Sequence, residues 1–531
     1  MLLIFGQYII LILSILLLVM LADKIRIAYP IVLVVGGLLL SFQSWFPSMS
    51  INPELIFIIF LPPLLYEAAW YTSWKELWRW RRVISSFAVL IVIVTAFVIA
   101  MVSSWLIPGF TLALGFLLGA IVSPPDAVSA SSVLRYVKVP KRLKAILEGE
   151  SLLNDASSLI IFRFSLIAVD TGRFVLHQAA GSFVAVIIMG IAIGIAIGFI
   201  YYWAHLKLPT TPQIDIVLTI TAPYVMYIVA EAFHFSGVLA VVAGGLFLSA
   251  RSHRFLTYRS RFQGSTVWSI VAFVLNGLIF MLIGLELPVI IRELGPVSLW
   301  QAINYGLILA AVLIVCRLLC TFGASVFTVF ISRYISTADN RPGWKGPLLF
   351  GWAGMRGVVS LAAALSIPIY MSSGALFPQR NLILVITFVV ILVTLIVQGL
   401  TLPWIIKWIK MEDPDHHLPA QQQHNHIRKK LTQASVAYLD AHPNESLKSN
   451  SLLQQLREKW QQEAHDLLNE HFDELEEFGN VYLEILERQR SLLLDINKEP
   501  EVDEDLVREY LAVIDLEEEK IRSRYIEKRE A

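Results

Sequence analysis

The stretch from Glu148 to Ser158 places side chains that can bind a cation inside an apolar part of the chain. Ser151 and Asp155 are four residues apart and share one helix face, with Asn154 beside them. A hydroxyl, a carboxylate and an amide carbonyl are hard oxygen ligands, which alkali and alkaline-earth cations prefer. A carboxylate at bilayer depth is costly unless it has a partner, a water-filled cavity or a cation. This segment therefore predicts a cation site.

Glu150 lies on a neighbouring face of the same helix and needs a different partner. Arg356 lies in Gly351-Trp-Ala-Gly-Met-Arg-Gly357, a segment in which glycines and an arginine interrupt another apolar stretch of the chain. We predict an ion pair between Glu150 and Arg356, because it would neutralise both charges in the lipid interior and hold two interrupted segments together.

Other charged residues also stand at membrane depth. Asp126 ends Ser123-Pro-Pro-Asp126, and Glu67 follows Leu61-Pro-Pro-Leu-Leu-Tyr66. Both are predicted to face the same cavity as Asp155. For the remaining four, structural roles are favoured over ion binding; they are Arg163, Glu231, Glu286 and Arg317.

The composition excludes a soluble protein of this length. Of the 531 residues, 56% are hydrophobic and 16% charged, and the mean hydropathy is +0.66, so an all-α polytopic membrane protein is predicted. Basic and acidic residues balance at 42 each, which gives no argument for a nucleic-acid partner. Cys316 and Cys320, one helical turn apart, offer no four-ligand metal site, and no cofactor is predicted.

About 13 apolar windows are long enough to cross a bilayer. They cover residues 3–22, 28–45, 51–69, 83–107, 111–134, 145–169, 174–203, 214–233, 236–250, 267–291, 299–331, 347–371 and 381–409. Loops after odd-numbered windows hold 19 lysines and arginines, and the opposite loops hold only 3. The positive-inside rule therefore predicts a multi-pass protein with the N-terminus outside and the C-terminus in the cytoplasm.

Windows five and twelve are interrupted, at Ser123-Pro-Pro-Asp-Ala127 and at Gly351–Gly357. Each is the fifth of a set of six, and window seven separates the sets, so the two sets would be inverted repeats. Crossed interrupted helices in inverted repeats are a transporter design that exposes helix termini to an ion. The domain prediction is a transmembrane exchanger domain over 1–410, a linker over 411–430 and a helical cytoplasmic domain over 431–531.

Five motifs together resemble the sodium/proton exchangers of the monovalent cation:proton antiporter-1 family, in its bacterial branch with a long cytoplasmic tail. They are Gly149-Glu-Ser-Leu-Leu-Asn-Asp155, Ser123-Pro-Pro-Asp-Ala127, Leu61-Pro-Pro-Leu-Leu65, Glu231-Ala-Phe-His-Phe-Ser-Gly237 and Gly354-Met-Arg-Gly357. The resemblance covers roughly residues 1–410 in consistent order.

The resemblance implies that Asp155 binds the cation and the proton, with Ser151, Glu67 and the backbone near Asp126 completing the site. Asn154 before Asp155 implies electroneutral exchange. Glu150 with Arg356 resembles the structural ion pair of the family, and a homodimer in the lipid of the cell membrane is expected. Pro125 departs from the pattern, since many members carry threonine there, so this hydroxyl ligand is missing.

The predicted function is exchange of protons for Na+ by alternating access, because one carboxylate can hold either a proton or a cation. The same ligands also permit Li+, and they permit K+/H+ exchange as an alternative. A cation channel lined by the same oxygens is a second class. An enzyme is not predicted, since the chain has neither a His-Glu-x-x-His motif nor a serine nucleophile elbow.

Overall fold

The structure is a computed structural model that describes twelve stretches of the chain. They are residues 2–25, 27–42, 53–126, 130, 139–172, 176–294, 297–331, 343–409, 420–441, 451–466, 472–496 and 504–522. Two compact units are present, Met1–Asp413 and Pro414–Ala531. Apart from one isolated β-bridge between Tyr370 and Leu376, the regular structure of the described residues is helical.

The first unit contains sixteen helices in its described residues. The first eight are α1 Leu2–Ile25, α2 Tyr29–Ser41, α3 Pro53–Tyr71, α4 Trp74–Arg79, α5 Arg81–Leu106, α6 Leu112–Val122, α7 Lys141–Thr171 and α8 Leu176–Lys207. The next eight are α9 Pro212–Ala232, α10 Gly237–Ser249, α11 Ser252–Phe255, α12 Tyr258–Arg292, α13 Leu299–Ile331, α14 Lys345–Trp352, α15 Val358–Leu365 and α16 Arg380–Ile409.

The helices follow the apolar windows of the sequence. Among the described residues, 8 helices are long and apolar enough to cross a membrane, and α2, α6 and α10 are shorter apolar helices. The all-helical membrane fold is therefore confirmed, whereas the number of 13 spans stays a prediction. The shorter helices carry the same apolar signal, but their length falls below the roughly 20 residues that a perpendicular crossing needs.

Glycines bring neighbouring helices of the first unit into close contact. Gly37 of α2 and Gly284 of α12 face each other, and a Cβ atom at Gly37 would overlap the carbonyl oxygen of Met281. Small residues of this kind let membrane helices approach backbone to backbone, which van der Waals contact then stabilises. Similar packing joins α8 to α10 and α5 to α6.

Both predicted interruptions are present. Helix α6 ends at Val122, and the described residues 123–126 that follow it are not helical. Pro124 and Pro125 lack the N–H groups that would continue the helix. Residues 127–129 and 131–134 of the same window lie outside the described residues. In window twelve, α14 and α15 are separated by residues 353–357, which contain Gly354 and Gly357.

The second unit is helical as predicted. Its helices are α17 Ala420–Ala441, α18 Ser451–Asp466, α19 Phe472–Ile496 and α20 Glu504–Ile521, and α17 packs on α18 as α19 packs on α20. Leu486, Val507 and Ile514 are buried in the second pair. Residues 420–430 of the predicted linker belong to α17, because alanine and glutamine at its start are good helix formers. Residues 411–419 lie outside the described residues.

Arg490 connects α19 to α20. Its Nη2 atom lies 2.6 Å from Oδ1 of Asp515 and 2.5 Å from Oε2 of Glu518, and Arg522 donates to Oε1 of Glu518 over 2.6 Å. These hydrogen bonds to the charged carboxylate hold the pKa of Glu518 below its usual value. The pairing therefore stabilises the two helices above the unfolded pKa of about 4.3, and this stabilisation is lost as the pH falls through the lowered pKa.

Glu518→Gln is expected to speed amide hydrogen exchange in α19 and α20 of the full-length protein at pH 7, by a small factor because the pairs are partly exposed. Glu519→Gln is the matched control, since Glu519 is exposed and adjacent in sequence. The difference between the two variants should vanish in acid. Equal protection of both variants at pH 7 would contradict a stabilising role for this cluster.

Candidate functional site

Asp155 lies in the middle of α7 and is 6% exposed. Asn154 is fully buried and Ser151, one turn earlier, is half-buried. The next turn is anchored by Ser158, whose hydroxyl donates to the backbone carbonyl of Asp155 over 3.0 Å. The spacing of the sequence thus brings the predicted hydroxyl, amide and carboxylate together on one helix.

Asn154 connects α7 to the interruption after α6. Its Nδ2 atom donates to the carbonyl oxygen of Pro125 over 3.1 Å. Its Oδ1 atom is buried and has no hydrogen-bond partner among the described residues. An unpaired buried carbonyl oxygen is costly, and a bound cation is one partner that would satisfy it. The donor set of this site therefore suits a cation as substrate.

The two interruptions touch each other directly. The backbone N–H of Asp126 donates to the carbonyl oxygen of Met355 over 2.8 Å. Asp126 is 8% exposed, and its carboxylate is close enough to that of Asp155 for the two charges to interact. The predicted crossing of the two interrupted helices is therefore present, with Asp155 beside it.

Arg356 supports this crossing through carbonyl groups. Its Nε atom donates to Val122 over 2.7 Å, its Nη2 atom donates to Ser123 over 2.9 Å, and its Nη1 atom donates to Gly354. Carbonyls at a helix C-terminus have no partner within the helix. In a continuous helix Val122 would accept from the N–H of Asp126, but that N–H donates to Met355, so the guanidinium takes its place.

The structure does not form the predicted ion pair between Glu150 and Arg356. Glu150 pairs instead with Arg317 of α13. The Nη2 atom of Arg317 lies 2.8 Å from Oε1 and 3.0 Å from Oε2 of Glu150. Both side chains are buried, at 1% and 0% exposure. The prediction was wrong because Arg356 is occupied by the carbonyls of the crossing, and Gly354, which has no Cβ, leaves room for the side chain of Arg317.

Arg317 also donates to the carbonyl oxygen of Phe350 near the end of α14, over 3.3 Å. The two arginines thus serve corresponding helix ends, Arg356 at α6 and Arg317 at α14. A helix C-terminus carries about half a negative charge, so the two ends and Glu150 together offset two guanidinium charges. The sequence predicts a structural role for Arg317 without a partner. The signal for a buried partner is its position inside an apolar window.

Helix α16 contributes a further contact that the sequence did not indicate. Its π-helical turn Thr394–Gln398 presents Thr394, whose hydroxyl accepts a hydrogen bond from the backbone N–H of Arg356 over 3.3 Å. Trp352 of α14 donates to the hydroxyl of Thr401 over 2.9 Å. Helices α6, α7, α14 and α16 are therefore tied together around the interruptions.

Glu67 lies on α3, which contains Pro62 and Pro63, and is half-buried. Its carboxylate is close enough to that of Glu148 for the two to repel each other. Glu148 precedes Asp155 by seven residues of α7, about 10 Å along the helix. Glu67 therefore lies near the turn of α7 that carries Glu148, two turns before Asp155.

Arg163 and Glu231 form an ion pair with each other in the structure. Nη1 of Arg163 lies 3.4 Å from Oε2 of Glu231, and each side chain is 37% exposed. The other carboxylate oxygen of Glu231 accepts from the N–H of Gly237 at the start of α10 over 3.1 Å. This carboxylate therefore satisfies an orphan donor of a helix N-terminus.

Arg356→Lys is expected to lower the thermal stability of the purified protein although the charge is kept. A lysine ammonium is a compact charge that cannot reproduce the planar fork on Val122 and Ser123, and each buried carbonyl left unpaired costs about 1–3 kcal/mol. Arg259→Lys is the control, because Arg259 is exposed and contacts only its neighbour Tyr258 in the described structure. Equal melting temperatures for the two variants would contradict the capping role.

Two interrupted helices that cross beside a buried carboxylate define a secondary transporter. Residues 10–408 match the family model described as sodium/hydrogen exchanger, transmembrane. The chain therefore belongs to the sodium/hydrogen exchanger family, which is a family of transporters and not of enzymes.

Curated relatives extend over most of the chain. A protein of Mycobacterium tuberculosis, named an uncharacterised Na+/H+ exchanger, is 30% identical over 514 residues, 94% of this chain and 92% of its own length. The sodium, potassium, lithium and rubidium/H+ antiporter of Bacillus subtilis is 34% identical over 438 residues, 80% of this chain and 64% of its own length. The low-affinity Na+/H+ antiporter NhaS1 of Synechocystis is 35% identical over 393 residues, 73% of this chain and 70% of its own length.

The fold is also similar to a solved structure. The sodium proton antiporter MjNhaP1 of Methanocaldococcus jannaschii, solved at pH 8, superposes with a TM-score of 0.60 at 19% identity. The similarity covers 78% of this chain and 99% of that structure. The two proteins therefore share the same helical fold.

Proposed function

We propose that this protein exchanges protons for Na+ across the cell membrane at a single site centred on Asp155. The observation that carries the proposal is the position of this carboxylate, which is 6% exposed beside the contact of the two interrupted helices. The unpaired Oδ1 of Asn154 in the adjacent position supports a cation ligand there.

In the proposed mechanism, a proton and a cation compete for the oxygens of Asp155. Ser151, Asn154, Glu67 and Asp126 complete the ion- and proton-binding site. The Asn154-Asp155 pair resembles that of electroneutral family members, and this resemblance supports exchange of one proton for one monovalent cation. The direction of transport then follows the two ion gradients.

Alternating access would arise from rocking of one helix group against the rest. Hydrogen bonds from Arg356 to α6 and to Thr394, and from Trp352 to Thr401, support the movement of α6, α14 and α16 as one body. Asn154 attaches α7 to the same body through Pro125. The remaining helices would form the stationary wall.

K+/H+ exchange is the second candidate for the same site. The relative from Bacillus subtilis carries potassium, lithium and rubidium beside sodium in its name. Oxygen ligands without a rigid metal geometry accept ions of different radius. Selectivity among these cations would therefore depend on the size of the occupied site.

The proposal includes the orientation of the protein in the cell membrane and its oligomeric state. The excess of lysine and arginine in alternate loops supports an outside N-terminus and a cytoplasmic C-terminus. A homodimer surrounded by membrane lipid is proposed from the family resemblance, and crosslinking in membranes would test it. Accessibility of single engineered cysteines from either side would test the orientation.

Dequenching of a pH-sensitive dye in everted vesicles tests the exchange. Added Na+ is expected to release the accumulated protons in vesicles that contain the protein, and Li+ and K+ titrations rank the cations. A response that depends on the membrane potential would contradict electroneutral exchange. Single-channel currents would favour a cation channel and contradict the carrier mechanism.

A further inference from the structure

An apolar groove of about 580 Å³ runs beside α10, outside the proposed ion site. This volume lies within the range of about 300–1,000 Å³ that is typical of small-molecule sites. Its walls come from three membrane helices, with Leu153 of α7, Ile191 and Ile195 of α8, and Leu239, Ala243 and Phe247 of α10. From Leu239 to Phe247 the groove follows α10 for roughly 12 Å. Its shape suits a long apolar chain.

Two arginines line one end of this groove. The guanidinium of Arg251 lies 4.1 Å from the ring centroid of Phe247, and its Nη1 donates to the carbonyl oxygen of Phe247 over 3.3 Å. Arg254, three residues on, is exposed. Neither arginine forms an ion pair with a carboxylate of the described residues. Two neighbouring like charges repel each other, and an anion between them would be stabilised by both.

Trp74 follows window three and the two arginines follow window nine, which are predicted to end on the same side of the membrane, so Trp74 is expected at the arginine end of the groove. Trp74 lines the groove, is 50% exposed and stacks on Trp78 with ring centroids 6.0 Å apart. Tryptophan is enriched at the level of lipid headgroups. Trp74, Arg251 and Arg254 therefore mark the polar end of the groove, and the aliphatic side chains of α7, α8 and α10 form its apolar length.

We propose that this groove binds one anionic phospholipid, with an acyl chain along α10 and the phosphate between Arg251 and Arg254. The apolar length favours a ligand with a hydrocarbon chain over a soluble anion. The two guanidinium groups favour a net negative headgroup over a zwitterionic one and disfavour a hydrophobic cation. The ligand class is therefore phosphatidylglycerol and similar anionic lipids.

The site also has a consequence for transport, which rests on the proposed function. Leu153 directly precedes Asn154 and Asp155 on α7, whereas the other walls belong to α8 and α10. In the proposed exchange cycle, α7 moves relative to α8 and α10, so the width of the groove changes. A lipid that fits one width better than the other shifts the equilibrium between the two states.

Native mass spectrometry of the full-length protein in neutral detergent, titrated with phosphatidylglycerol or phosphatidylcholine, tests the binding. Arg254→Gln is expected to weaken phosphatidylglycerol binding about fivefold, the effect typical of one basic residue at a lipid surface. Arg259→Gln is the matched control, because it removes an equal charge from an exposed arginine outside the groove and should leave affinity unchanged. Ala243→Trp should fill the groove and reduce binding of both lipids. Glycerol phosphate, which lacks acyl chains, should not bind.

Equal losses for Arg254→Gln and Arg259→Gln would overturn the site in favour of diffuse surface attraction. Equal affinity for the two lipids would overturn the headgroup assignment, and unchanged binding in a monodisperse Ala243→Trp protein would overturn the groove. Liposomes with and without phosphatidylglycerol then report on exchange. If binding is intact but exchange is absent in every lipid, the proposed function fails and the lipid site stands.

Discussion

Replacing Asp155 by asparagine is expected to abolish cation-dependent proton movement and to leave the protein folded in the membrane. The substitution keeps the size of the side chain, but an amide can neither bind and release a proton in the cycle nor neutralise a cation. The loss should reach the background of vesicles without the protein. Dye dequenching with Na+, Li+ and K+ measures exchange, and size-exclusion chromatography of the purified variant measures folding.

Asp170→Asn is the matched control for this experiment, because it makes the same chemical change near the exposed end of α7. Asp170 accepts hydrogen bonds from the backbone and hydroxyl of Ser372 and takes no part in the proposed site. Its exchange should stay close to that of the unchanged protein. Cation-dependent proton flux in the Asp155→Asn variant would disprove the assignment of Asp155, whatever the control shows.

Replacing Arg317 by alanine is expected to cause the largest loss of stability among the buried arginine variants, about 3–5 kcal/mol. The reason is that Glu150, which is fully buried, would keep a charge without its partner. The carbonyl of Phe350 would also lose a donor. Thermal unfolding of the purified protein, followed by tryptophan fluorescence, measures the change.

Arg163→Ala is the control for the burial argument, since its pair with Glu231 is 37% exposed on both sides and should contribute far less. Adding Glu150→Gln to Arg317→Ala should recover part of the lost stability, because it removes the unpaired charge. The same addition to Arg356→Ala should not help. If Glu150→Gln did rescue Arg356→Ala, the result would show that Arg356 is the partner of Glu150, as the sequence predicts.

The groove and the ion site share α7, so the lipid experiment and the Asp155 experiment are complementary. Asp155→Asn should leave phosphatidylglycerol binding unchanged, since Leu153 and the arginines of the groove are untouched. Ala243→Trp tests the reverse relation, because it alters the groove and leaves every proposed ion ligand in place. The two variants therefore separate ion binding from lipid binding.

The sequence by itself determined the class of fold and where along the chain the site is proposed. Apolar length identifies membrane helices because the hydrocarbon core has a fixed thickness. Proline and glycine locate the two interruptions because they act on the backbone of their own segment. Ser151, Asn154 and Asp155 could be grouped because a helix brings residues three and four apart to one face.

Only the tertiary structure decided which groups from separate helices meet. Glu150 and Arg356 were matched by charge, but charge carries no direction, and two buried arginines were available for one glutamate. In the structure, Glu150 forms an ion pair with Arg317, and Arg356 donates hydrogen bonds to the carbonyls of Val122 and Ser123. The contact between Asp126 and Met355 is likewise a backbone bond between distant segments, which spacing within one helix cannot specify. Packing of whole helices fixes these partners, because it sets the distances over which such bonds form.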